Sequence, residues 1–124
     1  MVDLVFELGY SRLKADWVER NGSTRGKIDE ALPFEGVATR WGDEFYFEIP
    51  VDAPAEFAVR DVEVGDVAYW PRGNSLCVFW GETPASVDDG EPRAASEVNV
   101  VASVKDTSPA EDVEDGTKIR VTRG

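Results

Sequence analysis

The sequence predicts a mostly β fold: about eight short strands with one or two short helices, closed or nearly closed into a barrel. Three observations lead there. Apolar and polar residues alternate with period two in several short runs. Turn residues separate those runs, at Gly9-Tyr10, Gly42-Asp43, Gly65-Asp66 and Arg72-Gly73-Asn74. Only residues 24–32 carry a clear apolar stripe at helical spacing. Closure follows because a barrel removes the sticky edges that so many short strands would otherwise expose. With 124 residues and no repeat, linker or low-complexity block, residues 1–124 read as one domain.

The elements follow in order. Val2, Leu4, Phe6 and Leu8 alternate with Asp3 and Glu7, and Leu13, Ala15 and Trp17 alternate with Arg12, Lys14 and Asp16, which predicts an opening hairpin turned at Gly9-Tyr10. Ser23 or Thr24 is positioned to cap a helix over about residues 24–32, with Ile28, Ala31 and Leu32 inward and Pro33 as its stop. Val37, Thr39 and Trp41 share one face of a strand, and Glu44 to Pro50 is its return. Residues 52–58 read as a connection and Val59 to Val64 as a short strand. The strongest hairpin pairs Asp66–Pro71 with Ser75–Gly81 across Arg72-Gly73-Asn74. Residues 82–95 read as a surface loop and Glu97–Val104 as a strand. Ser108-Pro109 starts a short helix ended by Gly116, and Thr117–Thr122 is the last strand.

Charge narrows the function classes. Asp and Glu total 25 against 13 Lys and Arg, a formal net charge of −12. The acids are spread along the chain rather than gathered in a tail. Two readings compete, a surface for basic partners and a solvation shell adapted to high salt, and the dispersion favours the second. Both disfavour nucleic acid and anionic membranes as partners. No apolar run approaches the length of a membrane span and no leader pattern is evident, so a cytoplasmic setting is expected.

Several kinds of chemistry lack their residues. There is no histidine, and Cys77 is the only cysteine, so no intrachain disulfide, ordinary zinc site or histidine-based triad can form. No glycine-rich phosphate loop is present, and no cofactor is expected. Cys77 sits in the apolar run Leu76-Cys77-Val78-Phe79 and reads as core filler. Asp88, Asp89 and Glu91 match no calcium-loop spacing and read as a solvated cluster. Asp43 and Glu44 would point to opposite faces of an extended strand. The aromatics Trp41, Tyr46, Tyr69, Trp70, Phe79 and Trp80 are the ambiguous set. As core they need no further role; at a barrel mouth they would line an apolar ligand pocket, with Arg40, Glu44 or Asn99 as polar anchors.

Four segments carry a family likeness: Trp41-Gly42-Asp43-Glu44-Phe45-Tyr46-Phe47, Gly65-Asp66-Val67-Ala68-Tyr69-Trp70-Pro71, Phe79-Trp80-Gly81-Glu82-Thr83-Pro84 and Ser96-Glu97-Val98-Asn99-Val100. In order and spacing they resemble a family of small archaeal and bacterial proteins with a cyclophilin-like fold, over about residues 2 to 122. The resemblance implies a closed or nearly closed barrel with a helix across one opening, and no established activity. True cyclophilins use an arginine, within a Phe-His-Arg run, beside an apolar proline pocket. Laid on that run, this chain reads Phe45-Tyr46-Phe47, with Phe47 where the arginine would be. Conventional prolyl isomerase activity is therefore not expected. The expectation is a binding module for a peptide segment or small molecule, its site at one mouth of the barrel and formed by Arg40, Trp41, Glu44, Tyr46, Tyr69, Trp80 and Asn99. The competing readings are an atypical isomerase or an acid–base enzyme using Glu44, and a ligand-free scaffold.

Overall fold

Alternation and turn chemistry set the strands of this chain, and a computed structural model describes residues 2–124. The described residues form ten strands rather than about eight: β1 (Leu4–Leu8), β2 (Ser11–Trp17), β3 (Phe34–Val37), β4 (Thr39–Arg40), β5 (Glu44–Glu48), β6 (Val59–Asp61), β7 (Asp66–Trp70), β8 (Ser75–Phe79), β9 (Arg93–Val104) and β10 (Lys118–Arg123). One helix, α1, spans Gly22–Ala31, and Pro71–Gly73 and Ser108–Asp112 are short 3-10 turns. One additional strand arises from splitting. The run expected over Val37–Trp41 belongs to β3 and β4, which part at Ala38 and pair with different neighbours.

All pairings are antiparallel, in the order β3-β10-β1-β2-β9-β7-β8-β5-β4, with β6 added to β9 off that path. The sheet curls but is not closed by hydrogen bonds. Its first and last strands, β3 and β4, are consecutive in the chain. One stretch of backbone thus pairs with β10 through Phe34–Val37 and with β5 through Thr39–Arg40. At this seam Gly36 lies against β5: a Cβ there would stand 2.6 Å from Cδ2 of Phe47 and 3.0 Å from the carbonyl oxygen of Glu48. Only glycine lets β3 cross so close.

The inward faces form the main core. Phe6, Leu13, Phe45, Phe47, Tyr69, Leu76, Val78, Ile119 and Val121 are fully buried there, α1 contributes Ile28, and Leu32 joins them just past its end. Phe47 is its aromatic hub, edge-on to Phe6 at 6.4 Å and stacked with Phe45 at 6.2 Å.

The helix begins differently from expectation. Ser23 and Thr24 lie inside α1, and Asn21 occupies the cap position with φ 52° and no side-chain cap bond. Its cap comes from far along the chain: the Glu56 carboxylate accepts hydrogen bonds from the Thr24 N–H (3.1 Å), the Thr24 hydroxyl (2.8 Å) and the Ser23 N–H (3.4 Å). Desolvation raises the pKa of Glu56, but these three donors outweigh it and hold it below the usual value.

A second apolar layer forms on the outer face of β5, β8 and β7, from Val62, Ala68, Cys77, Phe79, Ala94, Val98 and Val100. A bulge in β9 creates it. The register slips between Val67↔Ala102 and Ala68↔Val100, bending β9 so that its first half leaves β7 and pairs with β6. For the same reason β9 starts at Arg93, inside the stretch expected to be loop, and β6 ends at Asp61 rather than Val64.

Candidate functional site

Strand alternation places Glu44 and Tyr46 on the outer face of β5, with Phe45 and Phe47 inward. In register, Glu44 stands opposite Phe79 and Tyr46 opposite Cys77 on β8, and Cys77 stands opposite Ala68 on β7. The turn before β5 is tight, with the Trp41 N–H bonded to the Glu44 carbonyl at 2.8 Å. Gly42, at φ 65°, makes it: a Cβ there would lie 2.8 Å from the Glu82 carbonyl oxygen and 2.9 Å from Thr83 Cα. The turn is thereby pressed against residues 82–84, and Trp41 is held beside the outer face.

The bent first half of β9 faces this surface and leaves a cleft of about 220 Å³ lined by Trp41, Glu44, Tyr46, Trp70, Cys77, Ala94, Ala95 and Val98. Tyr46 and Trp70 meet edge to face at 5.7 Å. The Trp70 indole N–H donates to the Ser96 hydroxyl, fastening β9 to β7.

Glu44 is the chemical anomaly of the cleft. It is only 4% exposed, and its Oε1, shut off from solvent, has no hydrogen-bond partner. Burial pushes its carboxyl up to about 8, against a smaller opposing pull from the thiol of Cys77, its hydrogen-bonding neighbour. The buried thiol is itself pushed up, by desolvation first and then by the charge of Glu44 and the hydrogen bond to it, so it stays protonated.

The structure brings together three of the residues singled out from sequence, Trp41, Glu44 and Tyr46, and places the other four elsewhere. The cleft lies on the outer face of the sheet, not at a barrel mouth as expected, because Glu44 and Tyr46 take the outward phase of the alternation. Tyr69 takes the inward phase, its hydroxyl donating to the Val51 carbonyl at 2.6 Å and accepting from the Ala53 N–H at 3.3 Å. Asn99 is fully buried. Its amide donates to Thr24 Oγ1 at 2.9 Å and to the Pro54 carbonyl at 3.0 Å, and its oxygen accepts from the Glu56 N–H at 2.9 Å. Arg40 lies over the Trp80 ring at 5.2 Å and donates to the carbonyls of Gly42 (3.0 Å) and Glu111 (2.8 Å). Trp80 packs on Phe45 at the edge of the main core.

Five lining residues were not singled out as site residues. Trp70 was within the ambiguous aromatic set and Cys77 was read as filler; Ala94, Ala95 and Val98 carry no sequence signal beyond small size. A larger surface cleft, about 480 Å³, is lined by Val2, Arg12, Lys14, Asp16, Lys105, Asp106 and Pro109. It has no aromatic wall; Arg12, Lys14, Lys105 and Asp106 are exposed, and Asp16 is half-buried with one shielded oxygen that has no partner. Asp88, Asp89 and Glu91 are exposed in the loop before β9. Among the described residues, no helix is long and apolar enough to cross a membrane.

A mostly β architecture, one antiparallel sheet not closed by hydrogen bonds with a single helix, is that of a cyclophilin-like fold. The chain belongs to the cyclophilin-like family, whose model matches residues 2–122. It is similar to the hypothetical protein AF2241 from Archaeoglobus fulgidus, known from a solution structure: 35% identity, TM-score 0.84, over 99% of this chain and 95% of that one. It also resembles McbB, solved in complex with tryptophan, at 17% identity and TM-score 0.73, over 97% of this chain and 44% of that one, a likeness of fold alone. No curated protein matches the chain.

Proposed function

We propose that this protein is a non-covalent binder of a small molecule or a single peptide side chain, held in the outer-face cleft. The observation that carries the reading is an aromatic-walled cleft containing a buried carboxyl whose Oε1 has no partner. Buried polar groups are nearly always hydrogen-bonded, so an under-partnered carboxyl in the wall of a concavity is a point of attachment for a ligand's donor. The volume suits a small occupant: a cavity of about 150 Å³ already accommodates benzene. The same composition that coats the surface with acids supports a cytoplasmic setting at high salt.

Phenethyl alcohol, one ring with a short neutral arm, is a suitable probe. It should produce a saturable change in tryptophan fluorescence that Trp70→Ala abolishes while the thermal melt stays cooperative. Unchanged binding in that variant would remove the cleft from the account.

One observation favours a second reading, an acid–base enzyme. A carboxyl that titrates near neutrality can both give and take a proton at working pH. Prolyl isomerisation is the less favoured form of it. The cleft lining contains no arginine, and Phe47, in the arginine's place, is turned into the main core at 1% exposure. A proline-peptide assay at high salt should show no acceleration; a robust rate lost on Trp70→Ala would favour the enzyme instead.

A further inference from the structure

We infer that the cleft's ligand is an organic ammonium ion with a compact apolar body, its nitrogen meeting the carboxyl of Glu44 and its body lying among Trp41, Tyr46 and Trp70. This rests on the binding reading above and specifies the ligand class.

The lining decides the sign of the charge. Among its eight residues Glu44 is the only one with a full charge available, and there is no Arg or Lys to receive a carboxylate or phosphate. Trp41, Tyr46 and Trp70 add the negative faces of their rings, which attract cations and repel anions. The whole molecule works in the same direction at −12. An anionic ligand would face the carboxyl, the rings and the net charge together.

The polar inventory decides the donor. An ionised carboxylate only accepts, and the side chain hydrogen-bonded to it is the Cys77 thiol, a weak donor. An ammonium group carries up to three N–H donors and the compensating charge. The volume of about 220 Å³ limits the body to roughly one ring with a short arm.

Charge pairing has a measurable signature. Unliganded Glu44, held near 8, is mostly protonated at neutral pH, and Tyr46 and Cys77 are the only other titratable groups in the lining. An arriving ammonium favours the ionised form, so binding expels the carboxyl proton to solvent. About 0.9 proton should be released per ammonium bound at pH 7, and almost none at about pH 9.5, where the carboxyl is already ionised.

The test compares phenethylamine, phenethyl alcohol and phenylacetate by calorimetry at fixed high salt, in buffers of different ionisation enthalpy. The amine should bind at least about tenfold more tightly than the alcohol, with proton release near the stated value, and phenylacetate should bind weakest. In Glu44→Gln the amine's advantage should fall to within about threefold while alcohol binding persists. Proton release is read on the unaltered protein, so the test stands even if the variant folds poorly. An Nα-acetyl-lysine amide, whose ε-ammonium is free, that binds more tightly than phenethylamine assigns the ammonium to a polypeptide side chain; the reverse order assigns it to a free amine. Alcohol binding as tight as amine binding, or amine binding without proton release, overturns the ammonium inference and leaves the binding reading standing. Failure of all the probes to bind overturns both.

Discussion

A carboxyl held near 8 inside the fold, against 4.5 for the ordinary group, makes stability fall with pH, and Glu44 should dominate that fall around neutrality. The sign follows from proton counting. Between those two values the unfolded chain has lost the Glu44 proton while the folded chain keeps it, so raising pH favours unfolding. Stability linked to this group is fully present below about pH 4.5 and lost as pH rises through about 8. With each pH unit of displacement worth about 1.4 kcal/mol, ionising Glu44 in place costs the fold about 5 kcal/mol. Most of it, about 4 kcal/mol, should be lost between about pH 5 and about pH 9. Exposure of 4% leaves little solvent to screen the effect. Urea unfolding across that range, at constant high salt so that the surface acids contribute little, gives the slope. Glu44→Gln keeps the shape and removes the proton, so its curve should be flatter by that amount, and above about pH 8 the variant should be the more stable protein. Parallel curves for the two proteins would refute the buried, unpartnered carboxyl.

Three further outcomes follow from other parts of the molecule. Thermal melts in rising KCl should climb, because −12 on 124 residues repels itself until screened; a flat or falling series would refute a high-salt role for the acidic coat. Gly36→Ala should destabilise by about 1–3 kcal/mol, since its methyl would stand 2.6 Å from Phe47 at the seam between β3 and β5; wild-type urea unfolding would show that the seam is loose. Tyr69→Phe should cost about 1–3 kcal/mol by leaving the buried Ala53 N–H without its partner and the Val51 carbonyl with Asn74 alone. The same variant should leave probe binding in the cleft unchanged; a parallel loss of binding would mean that the inner and outer faces of β7 are coupled.

Much of the β framework was legible in the sequence because it depends on local pattern. Alternation located β1, β2, β5 and β10, and Asn74 does complete the β7–β8 turn in the left-handed conformation at φ 48°. The same alternation put Glu44 and Tyr46 on one face and Phe45 and Phe47 on the other, which is half of the site. Sequence could not say which face is inside, since both faces of this strand carry aromatics and a buried residue. Only the second layer, folded over β5, β8 and β7 by the β9 bulge, makes the outer face apolar enough to bury a glutamate.

What the sequence determined by itself is therefore the strand content, the absence of histidine-dependent chemistry and the acidic composition, which are properties of composition or near-neighbour spacing, and the cyclophilin-like family, through the resemblance of four motifs. Tertiary structure decided the rest. It sent Tyr69 and Asn99 into structural hydrogen bonds, bound Arg40 to backbone carbonyls, and brought Ala94, Ala95 and Val98 from some 50 residues away in sequence to face Trp41 and Glu44. It also capped α1 with Glu56 rather than with the nearby Ser23 or Thr24. The physical reason is common to all of these. A side chain's pairing and burial depend on what the fold sets opposite it, and those partners lie on distant strands whose approach is governed by a bulge and by two glycines that let backbones touch.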